Sequence, residues 1–302
     1  MEKLNSVKNK VSIIIITYNQ VNFVTDAIES AVKQEYVNLE IIVSDDGSTD
    51  GTAELVKKFE KKYPERIVAL INKNNVGITK NCNRALRVCT GEFIAFQGGD
   101  DVLLPGKIKT QVEWFQCNSN RVLCGHQTEV FYEDNSKLPH LGRIKLREGY
   151  GPLYLLKNGV PFGGTSIMIR TNSVPSDGFN ENIPSASDYL FWLEILSKGG
   201  EYGYVDGVFA RARRHSANVT NRVLEMSNDV ELTYEIFSKK YPEYKMECID
   251  AYIRNVLYYR GVLLLKCGEK TEARSHFLKT IIRKPLYFKA WIRLLHSFLI
   301  KL

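Results

Sequence analysis

The 302-residue sequence lacks the signals that define several common protein classes. Its six cysteines include no C-x-x-C pair, which argues against a zinc site or a disulfide framework and predicts reduced thiols, most of them buried. No stretch reaches the roughly 18 apolar residues of a membrane span. No G-x-G-x-x-G motif follows the first apolar run, which excludes a dinucleotide-dependent dehydrogenase. These absences predict a soluble, cytoplasmic protein.

The sequence also lacks a large excess of either charge. The formal net charge is +7, from 41 Lys and Arg against 34 Asp and Glu, while 44% of residues are hydrophobic and 25% are charged. This composition is that of an ordinary globular protein. The mild excess argues against a nucleic-acid partner and is compatible with a polyanionic ligand such as a diphosphate, or with an anionic membrane surface.

The first hundred residues alternate between strand and helix patterns. β-Branched or apolar runs predict four strands, at Val11–Ile16, Leu39–Ser44, Arg66–Ile71 and Phe93–Gln97. Segments with helical spacing of apolar residues lie between them, around Phe23–Val32, at Thr52–Lys62 and at Ile78–Cys89. This rhythm predicts an α/β nucleotide-binding fold, in which ligands collect at the carboxyl ends of the strands.

The rhythm changes after Val122, and the chain becomes helical beyond Thr220. We predict strands at Val122–Tyr132, Ser166–Ile169 and Tyr202–Ala210, and a helix at Asp188–Ser197. The last of these strands is followed by the basic run Arg211–His215. We therefore predict two domains, residues 1–225 and residues 226–302.

Two pairs of adjacent carboxylates follow predicted strands. Asp45-Asp46 begins the run D-D-G-S-T-D, and Asp100-Asp101 follows Gly98-Gly99. Each pair has a purely structural interpretation as a turn and helix cap. Each also has a functional one: the first pair can hydrogen-bond a base or ribose, and the second offers hard oxygen ligands for Mg²⁺ or Mn²⁺ on a diphosphate.

Two further candidates lie later in the chain. Asp188 opens an apolar helix, where it is either an N-cap or a general base that faces a cleft. His215 follows a basic run, which is either a solvated face or a ligand and charge clamp beside a diphosphate.

Taken together, these motifs closely resemble those of the family 2 glycosyltransferases of GT-A fold. The resemblance runs from Val11 to Thr220 and rests on five motifs in the family's order, including the first strand with its T-Y-N end, the D-D-G-S turn and G-D-D with Pro105. The remaining two are S-D-Y-L-F-W-L at Ser187–Leu193 and R-R-H at Arg213–His215.

The resemblance implies specific roles. It implies a donor nucleotide site that includes Thr17, Tyr18, Asn19, Asp46 and Lys80. It implies that Mn²⁺ or Mg²⁺ is held by Asp100, with Asp101 and His215 as further candidates. It implies that Asp188 is the base that deprotonates the acceptor hydroxyl, in a single displacement with inversion. The acceptor region is predicted around Gly163, Gly164 and Thr165.

The sequence departs from the family pattern at two positions. An acidic residue is usual two positions before Asp100, where this chain has Gly98, and the acidic neighbour of the base is replaced by Ser187. These losses keep open an alternative function, a catalytically lapsed nucleotide-sugar-binding or scaffold protein. A nucleotidyltransferase is disfavoured because Thr17–Gln20 contains no glycine-rich basic phosphate loop.

The predicted function is therefore that of a metal-dependent, inverting hexosyltransferase in surface polysaccharide or glycolipid synthesis. Its predicted partners are a nucleotide-diphosphate sugar, with a UDP-sugar favoured, and a glycan or lipid-linked acceptor.

The helical tail has its own pattern. Gly261, Ala273, Phe277 and Pro285 match a tetratricopeptide-like repeat, and Trp291 falls where the next repeat begins. Such a unit predicts packing on the catalytic domain or on a second copy of the chain. The segment Lys284–Leu302 combines apolar and basic residues, which predicts either a buried helix or peripheral contact with the inner face of the cell membrane.

Overall fold

A computed structural model describes the residues 7–142, 148–160, 163–216, 218 and 223–299. The first part of the chain alternates as predicted. The strands are β1 (Val7–Thr17), β2 (Leu39–Asp45), β3 (Ile67–Ile71) and β4 (Gly91–Gly98). The helices between them are α1 (Val24–Val32), α2 (Thr52–Lys62) and α3 (Ile78–Val88).

The middle of the chain adds shorter strands and three helices. The strands are β5 (Val102–Leu103), β6 (Arg121–Tyr132), β7 (His140–Leu141), β8 (Gly149–Tyr150), β9 (Met168–Arg170) and β10 (Glu201–Arg214). The helices are α4 (Lys107–Gln116), α5 (Leu153–Asn158) and α6 (Ser187–Ser197), with 3₁₀ turns at Gly164–Ser166 and Thr171–Ser173.

The prediction that the last strand ends at Ala210 is wrong. β10 continues through the basic residues to Arg214, because Arg211–Arg214 pair with Glu129–Tyr132 of β6. The arginines are therefore strand residues and not a separate basic loop.

All ten described strands belong to one sheet, whose main path has the order β3-β2-β1-β4-β9-β6-β10-β5. β3, β2, β1 and β4 run parallel, β9 lies antiparallel between β4 and β6, and β6 runs parallel to β10. β7 pairs with β6, and β8 pairs with β10. This largely parallel sheet flanked by helices is the predicted GT-A architecture.

The centre of the sheet is buried on both faces. Ile13 and Ile15 point to one face and Ile14 to the other, and all three are at most 1% exposed. Each such side chain contributes about 1.5–3 kcal/mol by leaving water. This explains why the first strand is a continuous β-branched run and not an alternating one.

The remainder of the described chain is helical, as predicted. The helices are α7 (Val223–Lys240), α8 (Lys245–Tyr252), α9 (Tyr259–Lys266), α10 (Lys270–Arg283) and α11 (Phe288–Leu299). A π-helical segment, Ile253–Tyr258, joins α8 to α9, and a 3₁₀ turn lies at Pro242–Tyr244. A Cβ atom on Gly261 would lie 2.6 Å from the Phe277 ring, so this glycine permits the close α9–α10 packing of the predicted repeat.

The chain separates into two compact units. One comprises Met1–Pro152 and Val160–Asn218, and the other comprises Leu153–Gly159 and Val219–Leu302. The second unit therefore takes in α5 as well as the helical tail. The single cut between residues 225 and 226 stays a prediction.

No helix in the described part of the chain combines the length and the apolar character that a membrane span requires.

Candidate functional site

The carboxyl ends of the four parallel strands are tied together by backbone hydrogen bonds. The amide of Gly99 donates to the carbonyl of Ile16 (2.8 Å), and that of Asp46 donates to Thr17 (3.0 Å). The amide of Asn72, after β3, donates to the carbonyl of Asp45 (2.9 Å). The loops that carry the two pairs of aspartates are therefore held at one edge of the sheet, where ligands bind in open α/β sheets.

Asp45 has the structural role that its position allows. Its carboxylate accepts hydrogen bonds from the amides of Gly47 (3.2 Å) and Ser48 (3.0 Å), and from the Ser48 hydroxyl. The side chain is completely buried. Asp45 thus builds the turn after β2.

Asp46 holds a different loop. Its carboxylate accepts hydrogen bonds from Asn72 Nδ2 (2.9 Å) and from the amides of Val76 (2.9 Å) and Gly77 (3.0 Å). Asp46 thereby fixes the segment that leads into α3. Contact with a donor nucleotide, which the resemblance implies for Asp46, remains a prediction.

The loop after β1 is cross-linked to the same turn. Asn19 adopts a positive φ of 50°, its amide donates to Ser48 Oγ (2.8 Å), and its Oδ1 accepts from the amide of Thr49 (2.9 Å). Next to it, Tyr18 is 45% exposed. The Thr17 hydroxyl is buried and finds no hydrogen-bond partner among the described residues, so it retains capacity for a ligand.

Lys80 lies in the first turn of α3 and is exposed. The segment fixed by Asp46 leads directly into this turn, so the lysine belongs to the same edge of the sheet. Its predicted role at the donor remains a prediction.

Asp100 lies at the centre of a polar triad. Its Oδ2 is 2.9 Å from His215 Nε2 and accepts a hydrogen bond from Asn218 Nδ2 (2.8 Å). A Cβ atom on Gly99 would lie 2.7 Å from Thr17 Cβ, so the loops after β1 and β4 touch. The structure thus brings together Asp100, His215 and the predicted nucleotide loop.

Asp101 has other partners. Its Oδ2 accepts a hydrogen bond from the Thr165 hydroxyl, and its Oδ1 accepts one from the amide of Arg213 (2.9 Å). Burial, and secondly the negative charge of Asp100, raises the pKa of Asp101 to about 7. The contact with Thr165 brings the predicted acceptor region to this turn. Gly163 and Gly164 are exposed, whereas Pro161 and Phe162 lie outside the described residues.

Arg213 stabilises the turn from behind and is not a solvated charge. Arg213 is only 8% exposed, and its Nε donates to the carbonyl of Asp100 (2.9 Å). Its guanidinium pairs with Asp26 (2.8 Å) and Glu133 (2.6 Å). Since these groups occupy its donors, Arg213 positions Asp100 and is poorly suited to clamp a diphosphate directly.

Asp188 is the second residue of α6, which begins at Ser187. The cap residue is Ala186, without a side-chain cap, so the interpretation of Asp188 or Ser187 as the N-cap is not supported. Burial raises the pKa of Asp188. Burial, followed by the negative charges of Asp188 and Asp46, raises the pKa of Cys82 to about 12. Both carboxylates therefore lie near this thiol on α3.

Sequence reasoning missed three asparagines. Asn72 and Asn81 link Asp46 to the end of β2, since Asn72 Nδ2 donates to Asn81 Oδ1 (3.1 Å) and Asn81 Nδ2 donates to the carbonyl of Ser44 (2.9 Å). Asn218, which contacts Asp100, stands three residues after His215. Two features of the sequence could have identified them: an amide on the inner face of the predicted helix α3, and an amide beside the R-R-H motif.

The ligand atoms at this site suit a divalent cation. A carboxylate oxygen and an imidazole nitrogen converge at Asp100 and His215, and both are groups that Mn²⁺ accepts. Among the described residues, no group of three or more His, Cys, Asp or Glu side chains could hold a metal ion. Oxygens of a diphosphate and water would therefore complete the coordination, as is common for Mg²⁺.

A GT-A sheet with candidate nucleotide and metal ligands at its strand ends is the arrangement expected of a nucleotide-sugar transferase. Comparison with known proteins gives the family: the model of "Glycosyl transferase family 2" matches residues 12–176. The chain belongs to this family.

A relative agrees with this assignment, and solved structures share the fold. The chain is similar to the EpsE glycosyltransferase of Bacillus subtilis (strain 168), with 32% identity over 193 residues that cover 63% of this chain and 68% of EpsE. The fold is similar to that of S. aureus TarS 1-349 in complex with UDP, with a TM-score of 0.68, 19% identity and coverage of 96% and 89% of the two chains.

It is also similar to the mannosyltransferase PcManGT from Pyrobaculum calidifontis in complex with GDP-Man and Mn²⁺, with a TM-score of 0.61, 16% identity and coverage of 95% and 87%. The resemblance and the GT-A fold predicted from the sequence are confirmed. The protein is a nucleotide-sugar glycosyltransferase.

Proposed function

We propose that this glycosyltransferase inverts the anomeric centre of its donor and uses a divalent cation held by Asp100 and His215. The observation that carries the proposal is the 2.9 Å approach of His215 Nε2 to Asp100 Oδ2, at the strand edge that also carries the loop after β1. The Mn²⁺ in the structure of PcManGT, which has the same fold, supports this role for a cation.

The nucleotide would occupy the loops after β1 and β2. Tyr18 offers an exposed ring for stacking, and Thr17 offers an unpartnered buried hydroxyl. Asn19 and Asp46 keep these two loops in place, and Lys80 supplies a positive charge at the start of α3. A UDP-sugar is favoured because the resemblance implies uracil most often and TarS binds UDP; PcManGT binds GDP-Man, so a guanine donor is the second choice.

Asp188 is the proposed base. Its carboxylate takes the proton of the acceptor hydroxyl as that oxygen forms a bond to the anomeric carbon. The bond from this carbon to the diphosphate oxygen breaks on the opposite face, and its electron pair leaves with the nucleoside diphosphate. The raised pKa of Asp188 makes it a stronger base than a solvated carboxylate.

The cation, when bound, would neutralise charge on the departing diphosphate. The protein residues around it have separate tasks. Asn218 and Arg213 orient Asp100, and Asp101 fixes Thr165 of the proposed acceptor region beside the same turn. Prior alignment of this kind supplies up to about 7–11 kcal/mol in favourable systems.

We further propose that the acceptor is a glycan or a lipid-linked glycan in surface polysaccharide synthesis, and that the enzyme works in the cytoplasm at the inner face of the membrane. The similarity to EpsE and to TarS is consistent with the polymer class, and the composition of α11 supports the membrane contact.

The test is a panel of nucleotide sugars assayed for release of nucleoside diphosphate with Mn²⁺ or Mg²⁺. We expect release with one donor, abolished by EDTA, and reduced about 10²–10⁴-fold by Asp188→Asn because the general base is lost. Asp177→Asn is the matched control, since this aspartate is exposed and lies in the same unit.

A second outcome would favour a lapsed enzyme. Gly98 and Ser187 depart from the family pattern, so donor binding measured by calorimetry without turnover, for every donor and with candidate acceptors present, would contradict catalysis. Turnover that survives both EDTA and Asp100→Ala would contradict the cation site alone.

A further inference from the structure

The apolar side of α11 faces away from the rest of its own unit. Ala290 and Ser297, seven residues apart, are completely buried, and Arg274 of α10 donates to Ser297 Oγ (3.1 Å). Phe288, Ile292, Leu295 and Leu299 lie on the opposite side at helical spacing. These four are between 63% and 78% exposed. An amphipathic helix normally buries this face.

The exposed area extends beyond one helix. Ile282 of α10 is 77% exposed and Leu286, between the helices, is 80% exposed. The Trp291 ring is partly exposed at the edge of the stripe, and its indole N–H is already satisfied by the carbonyl of Pro285 (2.9 Å). A continuous patch of large apolar side chains marks an interaction surface. We call these residues of α11, with Ile282, Leu286 and Trp291, the outer face.

The segment of chain that carries the outer face has charges of one sign only. Residues 273–302 contain seven Lys or Arg and no Asp or Glu, out of 41 and 34 in the whole chain. The remaining residues are therefore balanced at 34 of each sign, and the entire net charge of +7 belongs to this segment. Lys289 and Arg293 lie along one edge of the stripe, and neither forms an ion pair with a described carboxylate.

We propose that the outer face binds an anionic lipid surface, with α11 lying in the plane of the headgroups. Bulky apolar side chains flanked by Lys and Arg are the composition of interfacial helices. Each basic residue near an anionic leaflet adds to the attraction. A second copy of the chain is a poorer occupant, because pairing two identical faces would bring two segments of charge +7 together.

The binding is testable without donor or acceptor, so its failure would leave the proposed sugar transfer untouched. The full-length protein is sedimented with vesicles of phosphatidylcholine alone, or of phosphatidylcholine with phosphatidylglycerol. We expect binding to the anionic vesicles, at least about tenfold weaker binding to the neutral ones, and a loss with added salt.

Two variants separate the apolar and the electrostatic contributions. Phe288→Ser with Leu295→Ser is expected to weaken binding to anionic vesicles by about 30-fold or more, since two large side chains no longer enter the interface. Lys289→Glu with Arg293→Glu is expected to weaken it about tenfold or more. The controls are Val37→Ser, at an exposed apolar residue far along the chain, and Lys57→Glu with Lys58→Glu on α2.

Other results of these experiments would contradict the proposal. Absence of binding to any vesicle, or equal loss in variants and controls, would overturn the proposal. A concentration-dependent dimer in analytical ultracentrifugation that Phe288→Ser with Leu295→Ser dissolves would assign the outer face to a second copy instead. Thermal unfolding of each variant shows whether the fold is kept. The charge variant, at the exposed Lys289 and the half-buried Arg293, keeps the test decisive if the apolar variant misfolds.

Discussion

Two turns in this protein carry an adjacent pair of aspartates after a buried parallel strand, yet they use them differently. In the turn after β2, both aspartates are engaged by backbone amides, those of Gly47 and Ser48 for Asp45 and those of Val76 and Gly77 for Asp46. In the turn after β4, Asp100 is engaged by side chains more than a hundred residues away in the sequence, His215 and Asn218. The first pair therefore builds loops, and the second gathers a site from distant segments.

Adjacent carboxylates acquire separate roles because their side chains point in different directions. Alternate residues of an extended segment point to opposite sides, so neighbours meet different environments. A carboxylate that meets backbone amides becomes structural. One that meets an imidazole and an amide side chain can exchange them for a ligand without loss of the fold.

The largest effect is expected for Asp100→Ala. We expect kcat/KM to fall about 100- to 1,000-fold, because charge stabilisation at the leaving group is lost. The midpoint of thermal unfolding should change little, since the partners of Asp100 are other side chains that can hydrate. A large loss of stability with activity retained would reverse the assignment of the two turns.

The reciprocal change is Asp46→Ala. It removes the acceptor of two backbone amides and one side-chain amide, and we expect the free energy of unfolding in urea to fall by about 3 kcal/mol. Asp177→Ala, at an exposed position, should be near neutral. Equal stability of the two variants would show that the Asn72–Gly77 segment keeps its conformation without the Asp46 carboxylate.

The glycines of the two turns offer a matched pair. A Cβ on Gly47, which has φ of +75°, would lie 2.6 Å from the backbone of Asn74, so Gly47→Ala should cost about 2 kcal/mol of stability. A Cβ on Gly98 would meet side-chain atoms instead of backbone, with Asp100 Oδ1 at 2.7 Å and Asp101 Oδ2 at 3.2 Å. Gly98→Ala should therefore lower kcat/KM about tenfold with stability nearly unchanged, because a flexible carboxylate can move aside. Similar stability losses in both would contradict this difference.

The smallest effect concerns Lys107, the first residue of α4, which follows the second turn along the chain. It is completely buried, and burial lowers the pKa of its amine to about 7, while Nζ donates to Gln111 (2.6 Å). The unfolded chain then binds more protons between pH 7 and the ordinary pKa of lysine, so stability rises with pH in this window.

Relative to Lys107→Met, we expect the parent protein to gain about 1 kcal/mol of unfolding free energy between pH 7 and pH 8. Urea unfolding at the two pH values measures this. Parallel pH profiles for the two proteins would show that the lysine keeps its charge in the fold.

The elements with a strong local pattern could be predicted. The continuous β-branched run of β1 and the apolar spacing of α2 identified these elements and their order, and α2 was placed with its actual bounds. The end of β10 could not be placed, because Arg211–Arg214 carry no strand signal of their own and are held in the sheet by β6. Tertiary pairing overrides local preference there.

The candidate site was only partly accessible from the sequence. Asp100, Asp188 and His215 were found through motifs, and the structure brings Asp100 and His215 together. Asn218 was overlooked because its side chain gains meaning only beside Asp100. Arg213 was taken as one of a basic run, whereas packing between Phe23 and Phe131 and pairing with two acids make it internal.

Local sequence patterns encode the parallel half of the sheet, the helical tail and the charged residues at the strand ends. These follow from the periodicity of apolar residues and from turn chemistry, which act over a few neighbours along the chain. The tertiary structure was needed to show that both aspartates of the first pair hold loops, that Asp100 of the second pair meets His215, and which side of α11 remains exposed. Those outcomes depend on partners that are distant in sequence, and burial and hydrogen bonding with such partners leave no local pattern.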